Sequence, residues 1–108
     1  MVYLGHMYDT ACRAVAKLER KNRADFDGDE TLQLALVYLV QTIGEFARRV
    51  TEETKSKYPQ IPFRQIVGMR HKVVHDYMDV DLDIVYSVVS ADLPALVEIL
   101  ATIVPLEQ

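Results

Sequence analysis

The chain has one cysteine, no tryptophan and no excess of positive charge. Each shortage closes off a class of protein. A lone Cys12 cannot form an internal disulfide, so the fold must rest on its core, and the thiol reads as a small core residue in a reducing compartment. A formal charge of -4 leaves no broad basic face of the kind that holds nucleic acid by bulk electrostatics, so any RNA or DNA contact must be local. The four glycines are scattered, and none builds a phosphate-cradling loop. No stretch has the charged start, apolar run and small-residue cleavage site of a signal peptide. The longest apolar runs meet a charge before the ~20 residues that a bilayer span requires. These absences describe a soluble, cytoplasmic chain with no membrane segment.

What is present is helical. At 108 residues, half of them hydrophobic, residues 1–108 form a single domain with one core. Leu4, Tyr8, Ala11, Val15 and Leu18 recur at spacings of four and three and predict a first helix from about Tyr3 to about Arg23. Lys17, Arg20, Lys21 and Arg23 crowd its far end, where cations complement the helix dipole. Asp25-Phe26-Asp27-Gly28-Asp29 reads as a connection with an N-cap at Asp27 or Asp29.

A second helix is expected from about Glu30 to about Glu53. It carries one stripe of Leu36, Val40, Ile43, Ala47 and Val50 and another of Leu32, Leu39 and Phe46. Two apolar faces suit the central helix of a bundle, a helix that also lines a dimer interface, or both. Pro59 and Pro62 break the pattern, and Pro62 starts a third helix running from Phe63 through the histidine-rich stretch and weakening near Tyr77 to Val80. Asp81 caps a short fourth helix with Leu82, Ile84, Val85 and Val88. Asp92 caps a last one with Pro94 in its first turn and Leu96, Val97, Leu100, Ile103 and Val104 as its apolar side. Nothing alternates with period two over a useful length. The fold class is therefore all-α, an up-and-down bundle of four to five helices.

Chemistry concentrates in one place. Gly68-Met69-Arg70-His71-Lys72-Val73-Val74-His75-Asp76-Tyr77 holds two of the three histidines, an arginine and a tyrosine. Guanidinium presents a planar, permanently charged fork that matches phosphate oxygens, and imidazole takes or gives a proton near neutrality. Together they meet the needs of RNA cleavage through its own 2′-hydroxyl, with no metal and no cofactor. On a regular helix Arg70 and Tyr77 lie within roughly 20° of each other, whereas Arg70 and His75 stand about 140° apart. Either the helix loosens near His75, or the reacting group sits in a groove reached by two helices or two subunits. One histidine per subunit is marginal for both acid and base, and a symmetric pair supplies two. The bland alternative is that Arg70 and His75 are ordinary surface or interface residues. His71 and His75, spaced i, i+4 beside Asp76, resemble a metal pair, but Lys72 stands where a zinc protease needs Glu and no third ligand is evident. His6 is expected to face solvent or a helix neighbour.

Ile66-Val67-Gly68-Met69-Arg70-His71, then Val74-His75-Asp76-Tyr77, then Val80-Asp81 through Ile84-Val85-Tyr86 resemble the HepT family of HEPN-domain toxins. That family's signature, an arginine, four to six residues, a histidine, any residue and a tyrosine, is met by Arg70, His75 and Tyr77. Ile43-Gly44-Glu45, Pro59, Ile61-Pro62 and Leu93-Pro94 extend the likeness over most of the chain. The resemblance implies a HEPN-like homodimer whose Arg70 and His75 form a metal-independent endoribonuclease site across the twofold. It implies His71 in support, beside Asp76, and Tyr77 as the residue to which an MntA-type nucleotidyltransferase antitoxin attaches AMP. The other class of function is a non-catalytic helical subunit paired with a nucleotidyltransferase, in which Arg70 and His75 bind a nucleotide or hold the dimer.

Overall fold

The computed structural model describes residues 2–76 and 79–107, of which His75, Asp76 and Glu107 are described by backbone alone. It is an all-α bundle with one short hairpin. Helix α1 (Val2–Leu18) packs between α3 (Glu30–Arg49) and α7 (Leu93–Ile103), and α3 packs between α1 and α5 (Phe63–Val73). Two short helices, α2 (Arg23–Asp27) and α4 (Glu52–Lys57), flank α3 in the chain. After α5 come strands β1 (Val74–Asp76) and β2 (Asp79–Val80), then α6 (Leu82–Ser87), which runs through a π-helical turn (Val88–Asp92) into α7.

The expected stripes form the core. Leu36, Val40, Ile43, Ala47 and Val50 are all buried, as are Leu32 and Leu39, while Phe46 is half-buried against the core. Helix α3 thus buries two faces within one subunit, against α1 on one side and α5 on the other. On α1 the stripe is centred one position over from the expected line. Leu4, Met7, Ala11 and Ala14 are fully buried, and Tyr8, Val15 and Leu18 flank them.

Several boundaries differ from expectation, each for a local reason. Helix α1 stops at Leu18, not Arg23, because Arg20 takes a left-handed φ of 62° that no α-helix continues through. The stretch expected as a connection is α2. Asn22 caps it with a capping box in which Asn22 and Asp25 exchange side-chain-to-backbone bonds of 2.9 Å. Asp29 is the cap of α3, accepting from Leu32 N–H at 3.0 Å. Helix α3 ends at Arg49 because Val50 turns extended and Thr51 caps α4.

Asp81 caps α6 as expected, accepting from Ile84 N–H at 3.1 Å. Asp92 caps nothing: its backbone is helical, and residues 82–106 form one continuous helix. Pro94 therefore lies inside a helix, where its missing N–H and its ring would conflict with the preceding turn. The π-helical turn just before it widens the backbone, with Leu93 N–H reaching back to Val88 O. By length and composition this 25-residue helix could cross a membrane, although Asp92 and Glu98 interrupt its apolar run as expected. Here Val85, Val89, Leu93, Leu96, Leu100 and Ile103 are buried as part of the bundle core.

Short α2 is held by aromatic burial and by a cation. Phe26 is fully buried, with its ring centroid 5.4 Å from that of Tyr86. The Arg23 guanidinium lies over the Tyr86 ring at 5.2 Å and pairs with Asp27 at 2.8 Å and with Asp83 on α6. Both carboxylates raise the arginine pKa further above its ordinary value, the bond to Asp27 most. Exposed ion pairs contribute under about 1 kcal/mol, whereas truncating a buried phenylalanine costs about 3–5 kcal/mol. Phe26→Ala should therefore lower the urea-unfolding free energy by about 3–5 kcal/mol at unchanged m, and Arg23→Ala by about a third of that or less. Equal losses from the two substitutions would show that the cation fastens α2 as strongly as the ring.

Candidate active site

The site begins with a glycine on α3. Gly44 is buried where α5 crosses. A Cβ built there would lie 2.9 Å from Arg70 Cγ, 3.2 Å from Arg70 Cδ and 3.3 Å from the Ile66 carbonyl oxygen. Only a residue without a side chain lets the arginine stem lie flat across α3. The stem then leads the guanidinium to the next residue of α3, with Arg70 Nη1 3.5 Å from Glu45 Oε2.

Glu45 is shared. Arg48 binds it as a fork, Nη2 to Oε1 at 2.7 Å and Nε to Oε2 at 2.9 Å, and Arg49 Nη2 stands 3.8 Å from Oε1. The hydrogen bond from Arg48 dominates and, with the charges of Arg48, Arg49 and Arg70, holds the Glu45 carboxyl below the ordinary range against a smaller opposing effect of desolvation. One carboxylate among three guanidinium groups leaves a local excess of positive charge on an otherwise acidic chain. Arg70 is bound loosely enough, and exposed enough at 45% of its side chain, to turn toward a phosphate. Glu45 thus reads as a positioning residue for Arg70.

Arg70, His71 and Lys72 make up the last turn of α5, and His71 and Lys72 are exposed. The helix ends at Val73. Val74 is extended at φ -123° and ψ 104°, and its N–H closes the last turn on Arg70 O. The expectation that the helix continues past His75 is thereby corrected. Of the two resolutions of the 140° problem, the first is met, since His75 sits on strand β1 and helical geometry no longer fixes its angle to Arg70. The hairpin pairs Val74 with Val80 and Asp76 with Asp79, and Asp81 N–H bonds Val73 O at 2.8 Å, tying the end of α5 to the start of α6. Valines at 73, 74 and 80 favour this extended turn-off over further helix. The side chains of His75 and Asp76, and all of Tyr77, lie outside the described residues.

Other candidates separate from this cluster. Among the described residues no three His, Cys, Asp or Glu side chains form a metal-binding group. Cys12 is half-buried on α1. His6 is exposed and meets a helix neighbour, its ring 5.1 Å from Phe46. An apolar groove of about 600 Å³ between α5 and the C-terminal helix includes Met69 and Lys72 but not Arg70. The sequence pattern had flagged Gly44 and Glu45 only as part of a resemblance. The signal for their role was Glu45 three and four residues before Arg48 and Arg49, a spacing that joins charges on one helix face.

Two outcomes follow. Gly44→Ala gains up to about 1 kcal/mol of helix propensity, which offsets much of the packing cost, so the protein should stay folded while the Arg70 stem is displaced. Thermal unfolding within a few degrees of the parent, with any activity that depends on Arg70 lost, is expected; activity intact would mean that the glycine does not set the arginine. Glu45 has a lowered pKa in the folded state, so its stabilisation is present above the ordinary carboxylate range near 4.3 and fades as pH falls through the lower folded value. Stability profiles of the parent and Glu45→Gln should differ at neutral pH and converge in acid. Profiles that diverge toward acid would contradict the assignment.

Comparison with known proteins shows the family. Residues 8–103 match the family model described as HepT-like, ribonuclease HepT-like. A Methanocaldococcus jannaschii protein provisionally named an RNase is 31% identical over 70 residues, covering 65% of this chain and 58% of its own length. The probable ribonuclease HepT of Thermococcus cleftensis is 33% identical over 72 residues, 67% of this chain and 66% of its own. A Caldanaerobacter subterraneus protein, also provisionally named an RNase, is 28% identical over 94 residues, 87% of this chain and 84% of its own. The match thus spans less than two thirds of the first two relatives. No solved structure matches the chain at a significant level. A family match over nearly the whole chain, on a bundle that presents the signature arginine at a helix end, places this protein in the HepT-like ribonuclease family of HEPN-domain proteins.

Proposed function

We propose that the chain is a metal-independent endoribonuclease toxin, with Arg70 and His75 as its catalytic pair in a cleft shared by two copies. The observation that carries this reading is the placement of Arg70. It is laid across Gly44, held by Glu45 at 3.5 Å, and followed directly by the turn-off that leads to His75.

The chemistry suits these groups. The substrate's 2′-oxygen attacks the adjacent phosphorus while the bond to the 5′-oxygen breaks. One imidazole takes the 2′-hydroxyl proton, and another proton reaches the leaving 5′-oxygen. With one such histidine per subunit, a twofold pair supplies both transfers, which is the support for a homodimer. The guanidinium stabilises charge on the phosphoryl oxygens, worth about 10²–10³ in rate for a single well-placed donor. His71, exposed in the same last turn, is a second proton carrier or a substrate contact, and Asp76 lies beside His75 in the chain.

The family supports a further role for Tyr77. A nucleotidyltransferase antitoxin of MntA type, on a separate chain, attaches AMP there. The added phosphate brings negative charge that competes with the RNA phosphate for the guanidinium and silences the toxin. Both proteins act in the cytoplasm.

Induction of the chain alone should arrest growth, with relief by Arg70→Ala and His75→Ala. In RNA digestion with chelator present, Arg70→Ala should lower the rate about 10²–10³-fold and Arg70→Lys should rescue little, because a point charge does not replace the fork. Harmless expression of the parent, with no cut RNA, would instead favour a non-catalytic subunit paired with a nucleotidyltransferase.

A further inference from the structure

Helices α1 and α3 leave a second concavity, of about 330 Å³, that the catalytic reading does not use. His6 and Phe46 meet at one end of it, their ring centroids 5.1 Å apart. At the other end stand Arg13 of α1 and Tyr38 of α3, with Asp9 and Thr42 between. Tyr38 is 67% exposed, so a large ring is held on the rim of a groove instead of being packed into the core. Exposed aromatics beside cations are the elements with which proteins hold single-stranded nucleic acid, since every base offers a face to stack.

The groove and the candidate active site share helix α3. Tyr38 and Glu45 are seven residues apart on α3, hence within roughly 20° around the helix and about 10 Å along it. Glu45, on which the guanidinium groups gather, directly precedes Phe46 of the groove in the chain. Phosphate held there leaves a strand that follows the same face of α3 toward Tyr38 and Arg13. Local charge complementarity is thus provided at both ends, although the chain as a whole is acidic.

We infer that the α1–α3 groove is a base-binding subsite for single-stranded RNA, in which a nucleotide flanking the scissile phosphate stacks on Tyr38 with its own phosphate against Arg13. The inference rests on the ribonuclease reading and extends it to how the substrate is held.

The test is fluorescence anisotropy of a labelled, uncleavable 2′-O-methyl RNA oligomer titrated at several salt concentrations. Tyr38→Ala should bind about tenfold or more weakly with an unchanged salt slope, because stacking releases no counterions, and Tyr38→Phe should bind like the parent. Arg13→Ala should weaken binding and lower the slope by about 1. An oligomer with abasic positions should be indifferent to Tyr38→Ala. Parent-like binding by Tyr38→Ala, with Arg70→Ala still impaired, overturns the subsite and leaves the ribonuclease reading standing. No RNA binding by any form sinks both. Loss of affinity that tracks a change in sedimentation makes the groove a contact between copies, and AMP binding as tight as the oligomer makes it a mononucleotide pocket; either overturns the inference.

Discussion

The close crossing of α3 and α5 at Gly44 is the constraint on which the candidate site depends. A glycine inside helix α3 costs helix stability, and the structure offsets that cost through proximity. Because no Cβ stands there, the Arg70 stem lies against α3 and the guanidinium arrives beside Glu45 at 3.5 Å. The same carboxylate is gripped far more closely by Arg48, at 2.7 and 2.9 Å. Arg70 is thus held more weakly than Arg48, with Arg49 farther still at 3.8 Å, which suits a guanidinium able to exchange its carboxylate for another anion.

The rest of the bundle serves to end α5 where it does. Val73 is fully buried, and its carbonyl receives Asp81 N–H, so the last helical residue is fixed from the core side and from the start of α6 at once. Between these ties the chain makes its short hairpin, and His75 leaves helical geometry. Farther on, the π-helical turn lets one helix carry Pro94 without breaking. That continuous helix buries Val85, Val89, Leu93 and Leu100 against the bundle and gives α6 a rigid base.

Much of this was legible in the residues. The two stripes of α3, the caps at Asp29 and Asp81, and the proline start of α5 follow from periodicity and capping chemistry, and each is where those rules place it. Arg70 was singled out by its place in the histidine-rich stretch and by the family signature, and the structure sets it at the last turn of α5. The failures were tertiary. Asp92 and Pro94 have the local form of a helix start, and only the widened turn before them reveals a continuous helix. The short α2 is concealed by its acidic, glycine-flanked sequence, because its stability comes from Phe26 buried against Tyr86, sixty positions later in the chain. Gly44 carries no local sign of its role, and Glu45 only its spacing to Arg48 and Arg49, since the role exists only once α5 lies across them.

The proposed activity requires that an arginine so placed assist attack by the substrate's own 2′-hydroxyl. The most direct measurement is the chemistry of the ends left when this protein cuts RNA in the presence of a chelator. In-line transesterification predicts 2′,3′-cyclic phosphate on one fragment and a free 5′-hydroxyl on the other. Fragments ending in 3′-hydroxyl and 5′-phosphate, or cleavage that stops when divalent metal is removed, would contradict it.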